Sequence, residues 1–126
     1  MSTIIIDTNG LCAQAQFKLD VLGQLKELGF TEFCIPGCVI RELEHLRADG
    51  SPRERESAEV AVSLLPDCKI IEDAPSVDDC DDSIARKAKE LNVAVFSLDR
   101  LLRHKLTTQG TPVVCIRGGK KLERIA

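Results

Sequence analysis

The chain has 126 residues and carries 17 Lys and Arg against 20 Asp and Glu, a formal charge of −3. That length suits one domain over 1–126, and 44% apolar with 29% charged residues is the balance of a folded polypeptide, not a disordered one. No apolar run approaches the roughly 18 residues of a membrane helix and no basic stretch followed by a long apolar segment opens the chain, so a cytoplasmic location without a membrane partner is expected.

Apolar runs of strand length alternate with longer stretches of helical period. Residues 3–6 read as a short buried strand that runs into Asp7-Thr8-Asn9-Gly10. Val21, Leu22, Leu25 and Leu28 keep helical spacing until Gly29 stops it. Residues 33–35 form a second strand, halted by Pro36-Gly37. Val39, Ile40, Leu43 and Leu46 make one helical stripe, broken by Asp49-Gly50-Ser51-Pro52. Pro52 sits where a helix tolerates proline, and Ala58, Ala61, Val62 and Leu65 continue a third helix. Residues 69–72 give a third strand, followed by an acidic turn over 73–82. A fourth helix carries Ile84, Ala85, Ala88 and Leu91, and residues 93–98 a fourth strand with Asp99 directly after it. Leu101, Leu102 and Leu106 mark a fifth helix, and residues 111–116 a last strand closed by Gly118-Gly119.

Strands alternating with helices in this way predict an α/β fold, with a parallel sheet of about five strands covered on both faces. The unbroken apolar character of Ile4–Ile6 and of Val113–Ile116 agrees, because strands buried on both faces need not alternate.

Six cysteines are scattered at 12, 34, 38, 68, 80 and 115 with no CxxC pair, and two histidines do not complete a zinc pattern. Their expected role is that of small buried hydrophobes, with a disulfide as the lesser alternative. Four Phe and no Trp or Tyr exclude the broad aromatic platforms of many single-strand binders. Charge is asymmetric: residues 1–85 hold a balance of −10 and residues 86–126 one of +7. Such a split suits a basic face that meets phosphate beside an acidic site.

In open parallel sheets, ligands sit beyond the carboxyl ends of the strands at the point where strand order reverses. Asp7 and Asp99 end the first and fourth strands, so they meet there if those strands are neighbours. Asp81 and Asp82 open the fourth helix, and Glu42 lies early in the second, near the same edge. Each has a duller reading: Asp7 and Asp99 suit helix caps, one of Asp81 and Asp82 suits the cap of the fourth helix, and Glu42 suits a solvated face. Gathered together, these carboxylates repel, and one or two Mg2+ or Mn2+ ions with oxygen ligands would resolve that repulsion.

IIIDTN at the start, RELE at 41–44, DDSIA at 81–85 and SLDRLLRHKL at 97–106 resemble, as a set, the four acidic motifs of PIN-domain nucleases. The resemblance spans nearly the whole chain. It implies a three-layer α/β/α sandwich with strand order 3-2-1-4-5 and a metal-dependent endoribonuclease that cleaves single-stranded RNA and leaves a 5′-phosphate. It places the catalytic acids at Asp7, Glu42, Asp81 and Asp99, all as metal ligands, with Asp82 as a further or alternative ligand. Asn9 and Ser97 stand where the family often has polar residues that orient the acids. The DDxI and LDRxLRxKL forms and the closing IRGGKKL look most like stand-alone archaeal proteins near the small-subunit rRNA-processing branch. A toxin paired with an antitoxin is the alternative within the family, and family members commonly pair as homodimers.

RNA approaching an acidic site needs positive charge at its rim. Arg100, Arg103 and Lys105 follow Asp99, and Arg117, Lys120 and Lys121 follow the last strand. Phosphate contacts of this kind give salt-sensitive binding with little sequence preference. Gly118-Gly119-Lys120 lacks P-loop spacing and reads as a turn, and His104 reads as a surface residue. Outside this class stand an RNA-binding scaffold without turnover and a phosphotransfer receiver, the latter disfavoured because the third strand contains no Asp.

Overall fold

Ile4, Ile5 and Ile6 are wholly buried, which places the first strand at the centre of the sheet, under cover on both faces. In the computed structural model, which describes residues 2–125, the elements are β1 (Thr3–Ile6), α1 (Thr8–Gln16), α2 (Val21–Glu27), β2 (Glu32–Pro36), α3 (Gly37–Asp49) and α4 (Pro52–Ser63). After a 3-10 turn at Leu65–Asp67 come β3 (Lys69–Ile71), α5 (Cys80–Leu91), β4 (Ala94–Phe96), α6 (Arg100–Thr108), β5 (Val113–Arg117) and β6 (Lys121–Arg124). No helix among the described residues is long and apolar enough to cross a membrane.

The sheet runs β3-β2-β1-β4-β5-β6, with the first five strands parallel and β6 antiparallel to β5. From β1 the chain steps outward through β2 to β3, then returns to the other side of β1 for β4. Right-handed crossovers therefore send α1–α4 to one face and α5 and α6 to the other, giving three layers. α4 packs on α1 and α3, and α6 on α5, as that division requires. The order 3-2-1-4-5 is present as expected, with one strand added at the edge.

The added strand is a hairpin return. Gly118 and Gly119 both take positive φ, +62° and +66°, which glycine adopts without strain, and the chain reverses to pair Lys121 with Arg117. In β6 only Leu122 is buried, so the run is too polar to announce a strand. Gln24 of α2 ties it down, accepting from the Leu122 N–H at 2.8 Å and donating to the Lys120 carbonyl at 3.3 Å. A second element without a clear periodic signal is α1, whose Thr-Asn-Gly opening and buried Leu11-Cys12-Ala13 run give no stripe. Elsewhere local chemistry matches the expectation: Ser51 and Glu54 form a reciprocal capping box around Pro52 at the start of α4.

Candidate active site

β1 and β4 pair in parallel with Ile6 opposite Phe96, so the residues that follow, Asp7 and Ser97, leave the sheet side by side. Asp7 is only 4% exposed. Its carboxylate accepts from the Gly10 N–H at 2.6 Å and from the Ser97 hydroxyl at 2.6 Å. Asp7 is thus the cap of α1 and a buried acid at once, and the two readings of this residue coincide. Gly10 has to be small here: a Cβ would stand 3.1 Å from Asp7 Oδ1 and 3.0 Å from Ile6 and Phe96. Burial pushes the Asp7 carboxyl up to about 7, and the neighbouring charges of Asp81 and Asp99 push the same way against the two hydrogen bonds.

Asp99 likewise caps a helix, accepting from the Leu102 N–H at 3.0 Å to start α6, while its own N–H donates to Ser97 Oγ at 3.1 Å. Glu42 lies in the second turn of α3 and accepts a short hydrogen bond from the Thr8 hydroxyl. Asp81 lies in the first turn of α5, where burial and then the charges of Asp99 and Asp79 raise its carboxyl above the ordinary value. Asp7, Glu42, Asp81 and Asp99 all line one cavity of about 710 Å³, together with Thr8, Asn9, Asp78 and Asp79.

The protein offsets the charge in this cavity only in part: Lys105, itself paired with Asp82, lowers the Asp81 carboxyl against the burial and the charges that raise it. Among the described residues none of the four carboxylates belongs to an ion pair. Arg41 at the rim is engaged by Asp73 at 2.5 Å, and Asp73 also accepts from the Cys38 N–H at 2.8 Å, which fixes the start of α3. The donors are all oxygens, and they fit a hard divalent cation rather than zinc. Among the described residues no three His, Cys, Asp or Glu side chains already form a ready cage, so ligation requires these carboxylates to turn towards a common point.

Asp82 stands apart from the four. It lines an adjoining groove between α5 and α6 and is paired with Lys105 at 2.5 Å. Neither Asp81 nor Asp82 caps α5; that position is Asp79, which accepts from the Asp82 N–H at 3.1 Å. The helix begins at Cys80, earlier than its apolar stripe, because the first turn is acidic and carries no periodic signal. Of the expected polar partners, Ser97 is buried against Asp7 and Asn9 is exposed at the cavity wall.

The six basic residues do not line the acidic cavity. Arg100 is exposed directly beside Asp99, Arg103 is half-buried, and Lys105 shares the adjoining groove with Arg86, Lys89 and His104. Arg117 pairs with Glu123 at 3.0 Å and lines a shallow groove with Lys121 near the β5–β6 hairpin, where Lys120 is also exposed.

The structure corrects the expectation for two cysteines. Cys38 and Cys80 are joined by a disulfide at the cavity wall, with Cα atoms 5.6 Å apart and a separation of 42 positions in sequence. Spacing could not reveal it, because the strand order alone brings the starts of α3 and α5 together. Cys12, Cys34 and Cys115 are buried free thiols, as expected, and Cys68 is half-buried. Thr8, Asp78 and Asp79 are further cavity residues that sequence reasoning missed. Thr8 lies inside the quoted IIIDTN run, but its partner Glu42 is 34 residues away.

A doubly flanked parallel sheet with a carboxylate cavity beyond its central strands defines a class of acidic-site α/β proteins. The model of the PIN-like domain family matches residues 4–119, and the chain belongs to that family. It is similar to a protein of Archaeoglobus fulgidus named Ribonuclease VapC9, 31% identical over 118 residues, covering 94% of this chain and 85% of that one. The fold is similar to the PIN domain endonuclease Utp24, with a TM-score of 0.78 and 25% identity over 98% of this chain and 92% of that one. A domain of a functionally unknown protein from Methanocaldococcus jannaschii shares the fold, with a TM-score of 0.66 and 16% identity over 94% and 93% of the two chains.

Proposed function

We propose that the protein is a metal-dependent endoribonuclease acting on single-stranded RNA, with Asp7, Glu42, Asp81 and Asp99 as its acidic centre. The observation that carries this is the meeting of four carboxylates from the end of β1, α3, α5 and the start of α6 in one cavity, none of them in an ion pair among the described residues. Burial first, and then the neighbouring like charges, raise the carboxyls of Asp7 and Asp81. An arrangement that costs stability in the bare protein points to a ligand that reverses the cost. Membership in the PIN-like family and likeness to two nucleases by name support the same chemistry.

Asp7 would be the fixed ligand, since two hydrogen bonds and burial leave it one orientation. Glu42 would be turned inward by Thr8, and Asp99 is anchored by its own backbone and by Leu102. Mg2+ or Mn2+, one or two ions, held by these acids would supply an activated water and would neutralise charge on the phosphate oxygens. The protein's part would be to hold Asp7 and Asp99 in place, so that the other acids turn to the ion about a set point before substrate arrives. Asp82 would tune the site through Lys105 or join as an outer ligand. Arg100, Arg103, Lys105, Arg117, Lys120 and Lys121 would hold flanking phosphates, with few aromatic residues available for stacking.

The test is cleavage of a single-stranded RNA by purified protein in Mn2+ and in chelator. Asp7→Asn and Asp99→Asn are expected to keep the fold by circular dichroism and to lose Mn2+-stimulated cleavage. Unchanged cleavage by both variants would overturn the reading in favour of an RNA-binding scaffold. Within the nuclease reading, resemblance favours small-subunit rRNA processing, and likeness to the protein named Ribonuclease VapC9 favours a toxin held by an antitoxin. Growth arrest on expression that is relieved by Asp7→Asn would select the toxin.

A further inference from the structure

The Cys38–Cys80 bridge lines the acidic cavity. Cys38 is in the first turn of α3 and Glu42 follows it by four residues, on the same face one turn along. Cys80 is the first residue of α5 and Asp81 is its neighbour. The bond therefore ties together the first turns of the two helices that present Glu42 and Asp81. These turns belong to helices on opposite faces of the sheet, and α3 and α5 otherwise share little packing. Both carry a carboxylate to the wall of one cavity. Repulsion drives such turns apart, and a covalent tie opposes it.

We propose that the Cys38–Cys80 disulfide is a positioning element of the acidic cavity, which holds α3 and α5 at the spacing where Glu42 and Asp81 can share a divalent cation, so that its reduction weakens cation binding. The inference rests on the nuclease reading for its purpose but not for its measurement. The reductant is a dithiol. Its thiolate attacks Cys80 Sγ, the more exposed sulfur, since Cys38 is buried. The S–S bond breaks, Cys38 leaves as a thiolate and takes a proton, and the second thiol of the reductant then displaces Cys80 from the mixed disulfide. Two electrons and two protons pass to the protein, and the reductant becomes a cyclic disulfide.

The experiment compares three samples of the whole chain: protein purified without reductant, the same protein reduced with dithiothreitol and desalted anaerobically, and the double variant Cys38→Ser/Cys80→Ser. Alkylation under denaturing conditions with mass measurement counts thiols; four are expected before reduction and six after. Mn2+ binding is read from the loss of the free-ion electron paramagnetic signal, at a temperature below the melting transition of every sample, and RNA cleavage is followed against Mn2+ concentration. The expected result is a Mn2+ dissociation constant raised about tenfold in the reduced protein and the double variant, the range found when a group that orients a metal ligand is lost. Dithiothreitol should leave the double variant unchanged.

Six alkylated thiols without reductant would overturn the proposal. So would equal Mn2+ affinity in the three samples with only the melting temperature lowered, which is the signature of a purely structural bridge. Redox-dependent Mn2+ binding without any RNA cleavage would retain the positioning role and sink the nuclease reading. Cleavage with redox-independent Mn2+ affinity would do the reverse, and failure of every sample to bind Mn2+ would end both.

Discussion

The Ser97 hydroxyl links two acids that are 92 residues apart in sequence, donating to Asp7 at 2.6 Å and accepting from the Asp99 N–H at 3.1 Å. Its effect on Asp7 is to lower a carboxyl that burial raises to about 7. Ser97→Ala removes that donor while leaving a small residue at a wholly buried position. The carboxyl of Asp7 then rises further, so the acid limb of the pH profile for kcat/KM moves to higher pH. A profile that keeps its acid limb in place would show that Asp7 does not control it.

Asp7 also gives a stability prediction with a definite sign. Its carboxyl lies near 7 in the folded chain and at 3.8 in the unfolded reference. Between those values the folded protein binds a proton that the unfolded chain has released. The group's contribution to stability is therefore fully present below the unfolded value and is lost as pH rises through the folded one. In chelator, Asp7→Asn should be more stable than the parent protein at about pH 8, by on the order of 2–4 kcal/mol, and the gap should narrow on acidification to about pH 5. Urea unfolding of both proteins at the two pH values checks this. A variant that is less stable by the same amount at both would refute it.

These pH effects were not readable in the sequence, and the reason is physical. The strand ends that carry Asp7 and Asp99 follow from apolar runs, which are local. That Asp7 is buried, with its raised carboxyl, depends on the pairing of β1 with β4, which sets Ser97 against it. The same divide explains the rest. Helices with a stripe, such as α3, are legible, and so is Asp7 as a cap, although α1 behind it has no stripe; the start of α5 is set by a cap at Asp79 that only the folded context selects. The hairpin strand β6 depends on α2 through Gln24, nearly a hundred residues away in sequence. The disulfide and the Thr8–Glu42 bond are products of topology, and no spacing rule contains them.

Thr8→Val keeps the shape of a buried side chain and deletes the hydroxyl that donates to Glu42. Glu42 is exposed otherwise, so without Thr8 it is free to turn to solvent. The expected outcome is a Mn2+ requirement for cleavage raised by about 10-fold or more, with maximal rate at saturating Mn2+ largely kept. Activity assays over a Mn2+ series check it. An unaltered requirement would mean that Glu42 finds its place without this bond.

Gly10→Ala tests how tightly the Asp7 carboxylate is held. The added methyl would meet Ile6 and Phe96 at 3.0 Å and Asp7 Oδ1 at 3.1 Å, so either the core or the carboxylate must move. Overpacking of this kind costs about 1–3 kcal/mol. Thermal melts should show that loss, and kcat should fall more than KM rises, because the displaced group is an acid of the reacting centre and not an RNA contact. A stabilised variant with full activity, from the helix preference of alanine alone, would show that the site has slack.

Among the basic residues, the structure ranks those that the sequence could only collect. Lys105 is paired with Asp82 and Arg117 with Glu123, whereas Arg100 has no ion pair among the described residues and stands exposed beside Asp99. A cation already paired has less charge to offer a phosphate, and one adjacent to the cavity meets the strand nearest the reacting bond. Arg100→Ala should therefore weaken RNA binding more than Lys105→Ala does, uniformly across sequences, and lower the slope of log affinity against log salt by about 0.7 for a single strand. Titrations of labelled single-stranded RNA with the two variants at several salt concentrations check the order. If Lys105→Ala has the larger effect on that slope, the strand passes along the groove between α5 and α6 and not over the start of α6.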